Sequence, residues 1–158
     1  MTMKKILIAL DYDKTAQKVA EKGFLLAKSL GAEVVLLHVL ADMVYYTSRD
    51  YSPITGFEGY MEMGPLQSVN IEGLKNDTIK YLDKIKQHLG DDSVQTMVKE
   101  GEFAESILEA ADEVHADVIV LGSHSRKWLE NIVMGSVSEK VLRSTSVPLF
   151  IVPTRKRD

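Results

Sequence analysis

Val118–Ser138 reads VIVLGSHSRKWLENIVMGSVS, and its succession of apolar, small and polar residues decides how the chain is read. Val118-Ile119-Val120-Leu121 is rich in β-branched side chains and too short for a helix, so it is predicted as a strand buried on both faces. Gly122 breaks the run, and Ser123-His124-Ser125 opens a turn of small and polar residues. Arg126 and Lys127 add positive charge, Ile132, Val133 and Met134 form a second apolar group, and Gly135-Ser136 precedes a helical pattern ending at about Ser144. A glycine before a serine-rich helix start leaves backbone N–H groups at the positive end of the helix dipole, which suits an anion. Strand, small-residue loop and helix start together suggest a phosphate cradle; an ordinary turn is the plainer reading.

Strands and amphipathic helices alternate outward from this stretch. Lys5–Leu10 (KILIAL) suits a central strand, ended by Asp11-Tyr12-Asp13. From Lys14, apolar positions at Ala16, Val19, Ala20, Gly23, Leu26, Ala27 and Leu30 mark an amphipathic helix with Asp13 as N-cap and Gly31 as its stop. Glu33–Val39 (EVVLLHV) is a second buried strand with His38 near its end. Ile71, Leu74, Thr78, Leu82, Ile85 and Leu89 mark a second helix, stopped by Gly90. Ser93–Lys99 reads as a less buried strand near a sheet edge, and Glu102–His115 as a third helix with Phe103, Ile107, Leu108, Ala111 and Val114 on one face. After the helix from Ser136 comes Pro148–Val152 (PLFIV), a last strand entered through a proline. This order calls for an α/β fold, a five-stranded parallel sheet with helices on both faces. Ala41–Ser68 breaks the rhythm with four tyrosines, Tyr45, Tyr46, Tyr51 and Tyr60, and no sustained period. A loop of that length is predicted to be functional or mobile, as a flap, a partner contact or a surface excursion packed on itself.

A chain of 158 residues is predicted to form one domain, 1–158, with a single substantial core. The net charge of −4 argues against non-specific nucleic-acid binding, and Arg155-Lys156-Arg157 reads as a solvated end. With no cysteine, disulfides, thiolate metal sites and cysteine nucleophiles are excluded. Met1–Leu10 lacks the apolar run of a signal peptide and no segment has the length of a membrane span, so a cytoplasmic location without a membrane partner is expected.

Sheets of this kind bind ligands beyond the carboxyl ends of their strands, where the winding reverses. If the first and fourth strands are neighbours, Leu10-Asp11-Tyr12-Asp13 and Gly122-Ser123-His124-Ser125 face one crevice. Phosphates would then sit at the small-residue loop and the last helix start. Asp11 would take a sugar hydroxyl, a base amino group or a metal ion, with local turn and cap chemistry as the competing reading for Asp11 and Asp13. None of His38, His88, His115 and His124 pairs with another at helical ligand spacing, so no resident metal site is expected. His124 is a hydrogen-bond donor candidate within the cradle, and His38 reads as a satisfied core or rim residue. Trp128 is predicted to pack its connecting segment down.

The spacing Gly122, Ser123-His124, Ser125, Arg126–Met134, Gly135-Ser136 resembles the motif of the universal stress protein family: Gly, two residues, Gly, nine residues, then Gly-Ser or Gly-Thr. Ser125 stands where the family has its middle glycine. GSVSEKVLRSTSVPLFIVP looks like the family's closing helix and strand, ILIALDYDKTA like its first strand and turn, and VVLLHV like its second strand. The resemblance implies a Rossmann-like sheet of order 3-2-1-4-5, a homodimer through the last strand (Leu149–Val152), a cytoplasmic stress-response role, and binding of ATP (or ADP or AMP) with Mg2+ and at most slow hydrolysis. By the same resemblance, Ala9, Leu10 and Asp11 lie beside adenosine and Val39 at the adenine. Leu121, Gly122, His124, Ser125, Gly135, Ser136, Val137 and Ser138 lie around ribose and phosphates. A side chain at position 125 crowds the phosphates or restricts the backbone, although serine is the mildest such change and can itself donate a hydrogen bond.

Two other readings compete. Asp11-Tyr12-Asp13-Lys14-Thr15 fits the DxDxT pattern of haloacid-dehalogenase-like phosphatases, with Asp11 as nucleophile and Asp13 as general acid. Against it, helical periodicity begins at Lys14, and the acidic pair Asp91-Asp92 follows a helix rather than a strand. The other reading is a family member that binds no nucleotide and acts as a dimeric interaction module.

Overall fold

Apolar runs with no polar alternation can satisfy both their side chains and their peptide groups only inside a covered sheet, and here they do. The computed structural model describes residues 4–11, 14–40, 71–123 and 136–154. Asp13, the 41–68 excursion, Trp128 and the basic tail lie outside these residues. The elements run β1 (Lys5–Ala9), α1 (Ala16–Leu30), β2 (Glu33–Leu40), α2 (Ile71–Leu89), β3 (Gln95–Glu100), α3 (Phe103–Glu113), β4 (Val118–Gly122), α4 (Ser136–Ser144) and β5 (Leu149–Val152). All four strand pairings are parallel, and the sheet order is β3-β2-β1-β4-β5, as the family resemblance implies. Among the described residues no helix is long and apolar enough to cross a membrane.

Strand alternation divides the core into two clusters. Ile6, Ile8, Leu36 and Val120 meet Val19 and Ala20 of α1 and Leu74, Leu82 and Ile85 of α2 on one face. Leu7, Val35, Leu37 and Ile119 meet Ile107, Ala110 and Ala111 of α3 and Val141 of α4 on the other. β3 lies at one edge with its side chains only partly buried, as its mixed sequence requires. β5 lies at the opposite edge. There Phe150 is 38% exposed while Val152 is 2% exposed and belongs to the core, so the two alternate side chains of this strand do not share an exposed surface.

Helix ends differ in detail from the sequence expectation. α1 begins at Ala16 with Thr15 as N-cap, and the Thr15 side chain makes no capping hydrogen bond; the helical ladder starts from the Thr15 carbonyl, which accepts from Val19. Its other end follows the expectation: Gly31 adopts a left-handed φ of 65° and its N–H closes on the last turn. Leu30, counted with the inward face by spacing, is exposed. α3 is capped by the Glu102 carboxylate, which accepts from the Ala104 and Glu105 amides, and it stops at Glu113 because His115 turns to a φ of 56°.

The inner face of α1 carries Ala16, Ala20, Gly23 and Ala27, small residues that let the helix lie close to β1 and β4. A Cβ added at Gly23 would come within 2.7 Å of Ile8 Cδ1 and 3.2 Å of Val120 Cγ1. Both side chains are fully buried and confined. Gly23→Ala is therefore expected to lower stability by about 1–2 kcal/mol in urea denaturation, overriding the helix-propensity gain of up to about 1 kcal/mol. A stabilised variant would mean that the α1–sheet contact yields freely.

Candidate functional site

β1 runs through the middle of the sheet, and both of its neighbours outrun it at the carboxyl end. Its register with β2 ends at Ala9–Leu37, whereas β2 continues alongside β3 to Leu40–Glu100. Its register with β4 ends at Ile8–Val120, whereas β4 continues alongside β5 to Gly122–Val152. Beyond the end of β1 lies a crevice flanked by Val39 on one side and by Leu121 and Gly122 on the other. At ordinary strand spacing these walls stand about 10 Å apart. The first and fourth strands are thus neighbours, and the sheet winds in opposite directions from them.

Of the residues nominated from sequence, Ala9, Leu10, Asp11, Val39, Leu121, Gly122, Ser136, Val137 and Ser138 lie among those described; His124, Ser125 and Gly135 lie outside them. Ala9, Val39 and Leu121 belong to the face covered by α3 and α4, and Leu10 to the face covered by α1 and α2. The Val39 side chain is only 4% exposed, so the parts it can offer a ligand are chiefly peptide groups. Peptide groups two residues apart on a strand point the same way. Since the Leu37 carbonyl accepts from Leu10 N–H, those of Val39 are turned to the side where β1 has ended.

The other wall is stitched to α4. Ser138 Oγ donates to the Gly122 carbonyl at 2.8 Å, fixing the first turn of α4 against the end of β4. The N–H groups of Ser136, Val137 and Ser138, in that first turn, lie at the positive end of the helix dipole. An ion pair between Lys140 and Glu102, 3.2 Å apart, adds a surface tie from α4 to the start of α3. Gly122 is glycine for want of room: a Cβ there would meet Thr154 Cγ2 at 3.0 Å and Val19 Cγ2 at 3.1 Å.

Three described polar residues at this end of the sheet were not assigned such roles by sequence reasoning. The Thr154 amide donates to Ser123 Oγ at 3.0 Å, and the Ser123 amide donates to the Val152 carbonyl, so the chain after β5 clasps the turn after β4. Tyr81, from α2, donates to the Asp11 carbonyl at 3.4 Å. Its place in the Leu74–Thr78–Tyr81–Leu82–Ile85 stripe was a legible signal of inward position, though not of its target. His38 lies in the core, as expected, 2% exposed, with Nδ1 2.8 Å from the Leu10 carbonyl. A carbonyl can only accept, so Nδ1 carries the proton. Among the described residues no cluster of three or more His, Asp or Glu side chains could hold a metal ion.

Burial drives the His38 pKa down from 6.5 to about 4, against the opposing pull of the Leu10 carbonyl. The unfolded chain therefore takes up this proton first, and stability falls as pH drops from about 6.5 towards 4. Glu21, Asp91, Glu102 and Asp117 are held below their ordinary values and add their losses only below about pH 4.5. Urea unfolding at pH 7 and pH 5 is expected to differ by about 2 kcal/mol in the wild type and to differ much less in His38→Asn. Equal pH dependence in both would show that His38 titrates normally.

The model of the universal stress protein family matches residues 2–153. The chain is 32% identical over 150 residues to universal stress protein YxiE of Bacillus subtilis, covering 94% of this chain and 97% of that one. A universal stress protein crystallised in complex with cAMP shares its fold with a TM-score of 0.64 at 17% identity, covering 98% of this chain and 100% of that one. The universal stress protein from Archaeoglobus fulgidus in complex with dAMP does so with a TM-score of 0.59 at 22% identity, covering 96% and 98%. The phosphatase reading of Asp11 and Asp13 falls with these matches. A parallel sheet ordered β3-β2-β1-β4-β5 and sequence likeness over nearly its whole length lead to one conclusion: this chain belongs to the universal stress protein family.

Proposed function

We propose that this chain is a cytoplasmic stress-response protein whose single domain, 1–158, binds ATP with Mg2+ and acts as a dimeric, nucleotide-dependent switch with at most slow hydrolysis. The observation that carries the reading is the crevice beyond β1, with the first turn of α4 tied to Gly122 along one wall. Backbone N–H groups of Ser136, Val137 and Ser138, with Gly122, Ser125 and Gly135, would receive the phosphates, and His124 would add a donor. Val39 peptide groups would meet the adenine edge, Ala9, Leu10 and Leu121 its surroundings, and Asp11 a ribose hydroxyl. The adenine nucleotides bound by two proteins of the same fold favour this ligand class. Mg2+ would be held mainly by the phosphates. Hydrolysis is slow on this account because no Gly-Lys-Ser/Thr phosphate loop occurs in the sequence and, among the described residues, no base is assigned to activate water.

Millimolar Mg-ATP, about a hundredfold above Kd, should raise the thermal midpoint by about 5–10 °C. Gly135→Val, which puts a side chain where the motif requires none, should abolish the shift. Ser125 in place of the family's glycine favours the rival reading of an interaction module without nucleotide; a wild type that Mg-ATP does not stabilise would establish that reading instead. Turnover of several per second would point to an enzyme.

Homodimerisation would use β5, which is paired on one side by β4 and presents Phe150 at the sheet edge. Because Val152 is a core residue, Phe150→Asp alone is the clean probe. Light scattering at micromolar concentration should give a dimer for wild type and a monomer for this variant. A dimeric Phe150→Asp protein with an unchanged dissociation constant would move the interface elsewhere.

A further inference from the structure

The chain leaves the sheet at Leu10-Asp11, and two side chains outside the crevice hold that exit. His38 Nδ1 donates to the Leu10 carbonyl at 2.8 Å, and the Tyr81 hydroxyl donates to the next carbonyl, that of Asp11, at 3.4 Å. The Leu10 amide is bonded in turn to the Leu37 carbonyl. Peptide groups on both sides of the Asp11 Cα are therefore fixed, one from β2 and one from α2.

His38 is an unusual choice for this place. Leu36, Leu37, Val39 and Leu40 around it are all buried and apolar, and burying an imidazole among them is costly unless its polar atoms are bonded. An aliphatic residue would continue the strand without that cost. Tyr81 likewise brings a hydroxyl into the helix face of Leu74, Leu82 and Ile85; the other hydroxyl there, that of Thr78, donates to the Leu74 carbonyl of its own helix, whereas that of Tyr81 reaches out to the Asp11 carbonyl. Both polar groups converge on one dipeptide, and that dipeptide contains the only carboxylate at the end of β1 among the described residues.

We infer that His38 and Tyr81 are positioning residues for the Asp11 carboxylate: by holding the Leu10 and Asp11 carbonyls they set the backbone from which Asp11 reaches its ligand. The inference rests on the adenine-nucleotide reading of the site. It assigns His38 the larger effect, since its hydrogen bond is short and buried and that of Tyr81 is long.

The test is a double-mutant cycle on the full chain, with Mg-ATP affinity measured by isothermal titration calorimetry and thermal midpoints without ligand as the control for folding. His38→Leu should weaken binding about tenfold and Tyr81→Phe about threefold, the scale of one lost hydrogen bond. His38→Asn, whose amide nitrogen can replace Nδ1, should stay close to wild type. In an Asp11→Ala background neither His38→Leu nor Tyr81→Phe should weaken binding further. The same losses with and without Asp11, no loss in either single variant, or an Asp11→Ala protein that binds like wild type would each overturn the inference. Should His38→Leu fail to fold, the near-isosteric Tyr81→Phe decides alone. A wild type that binds no Mg-ATP would overturn the site reading, and this inference with it.

Discussion

The parallel pairing of β1 with β4 is the constraint on which the rest of this structure depends. It brings together two strands separated by more than a hundred residues, and it makes β1 the strand from which the sheet winds outward in both directions. Parallel strands need crossovers, and the crossovers here place α1 and α2 on one face and α3 and α4 on the other. The described residues that follow β1 and β4, Leu10-Asp11 and Ser123, therefore leave neighbouring strands at the same end of the sheet. The small inner residues of α1, with Gly23 against Ile8 and Val120, let one helix seal the back of that pairing.

Polar groups in the interior are few and unevenly placed. Of the six buried polar residues among those described, His38, Ser123, Ser138 and Thr154 stand at the carboxyl end of the sheet: His38 and Ser138 donate to backbone carbonyls, Ser123 accepts from the Thr154 amide, and the Ser123 and Thr154 hydroxyls meet at 3.4 Å. Buried polar groups cost stability unless paired, and a fold optimised only for stability would fill such positions with aliphatic residues. Their concentration at one end indicates that the backbone there is held to a shape by hydrogen bonds, where the remainder of the core is held by packing. The Ser138–Gly122 and His38–Leu10 bonds each fix one wall or the floor of the crevice.

Much of this was legible in the sequence because strand burial and helix periodicity are local signals. KILIAL, EVVLLHV and VIVL became β1, β2 and β4 within a residue or two, and Gly31 and Gly90 ended their helices as expected. Strand order was not legible from periodicity; it came from the resemblance of the Gly122–Ser136 spacing to a family, and the pairing agrees with it. What failed locally failed for tertiary reasons. Asp13 was the better N-cap by chemistry, yet the ladder starts from Thr15; Phe150 and Val152 alternate along β5, yet Val152 packs into the core with Val19 of α1 while Phe150 stays exposed. The Ser123–Thr154 clasp and the Tyr81 contact join residues far apart in sequence, and no local pattern announces their partners.

The central claim, that an adenine nucleotide occupies the crevice between Val39 and Gly122, is tested most directly by amide chemical-shift mapping of the isotopically labelled protein during titration with Mg-ATP. The account predicts the largest shifts at Ala9–Asp11, Val39, Leu121–Gly122 and Ser136–Ser138, with β3 and the outer faces of α1 and α2 little changed. Shifts confined to β3 or to the helix surfaces, with those amides unmoved at saturation, would contradict it.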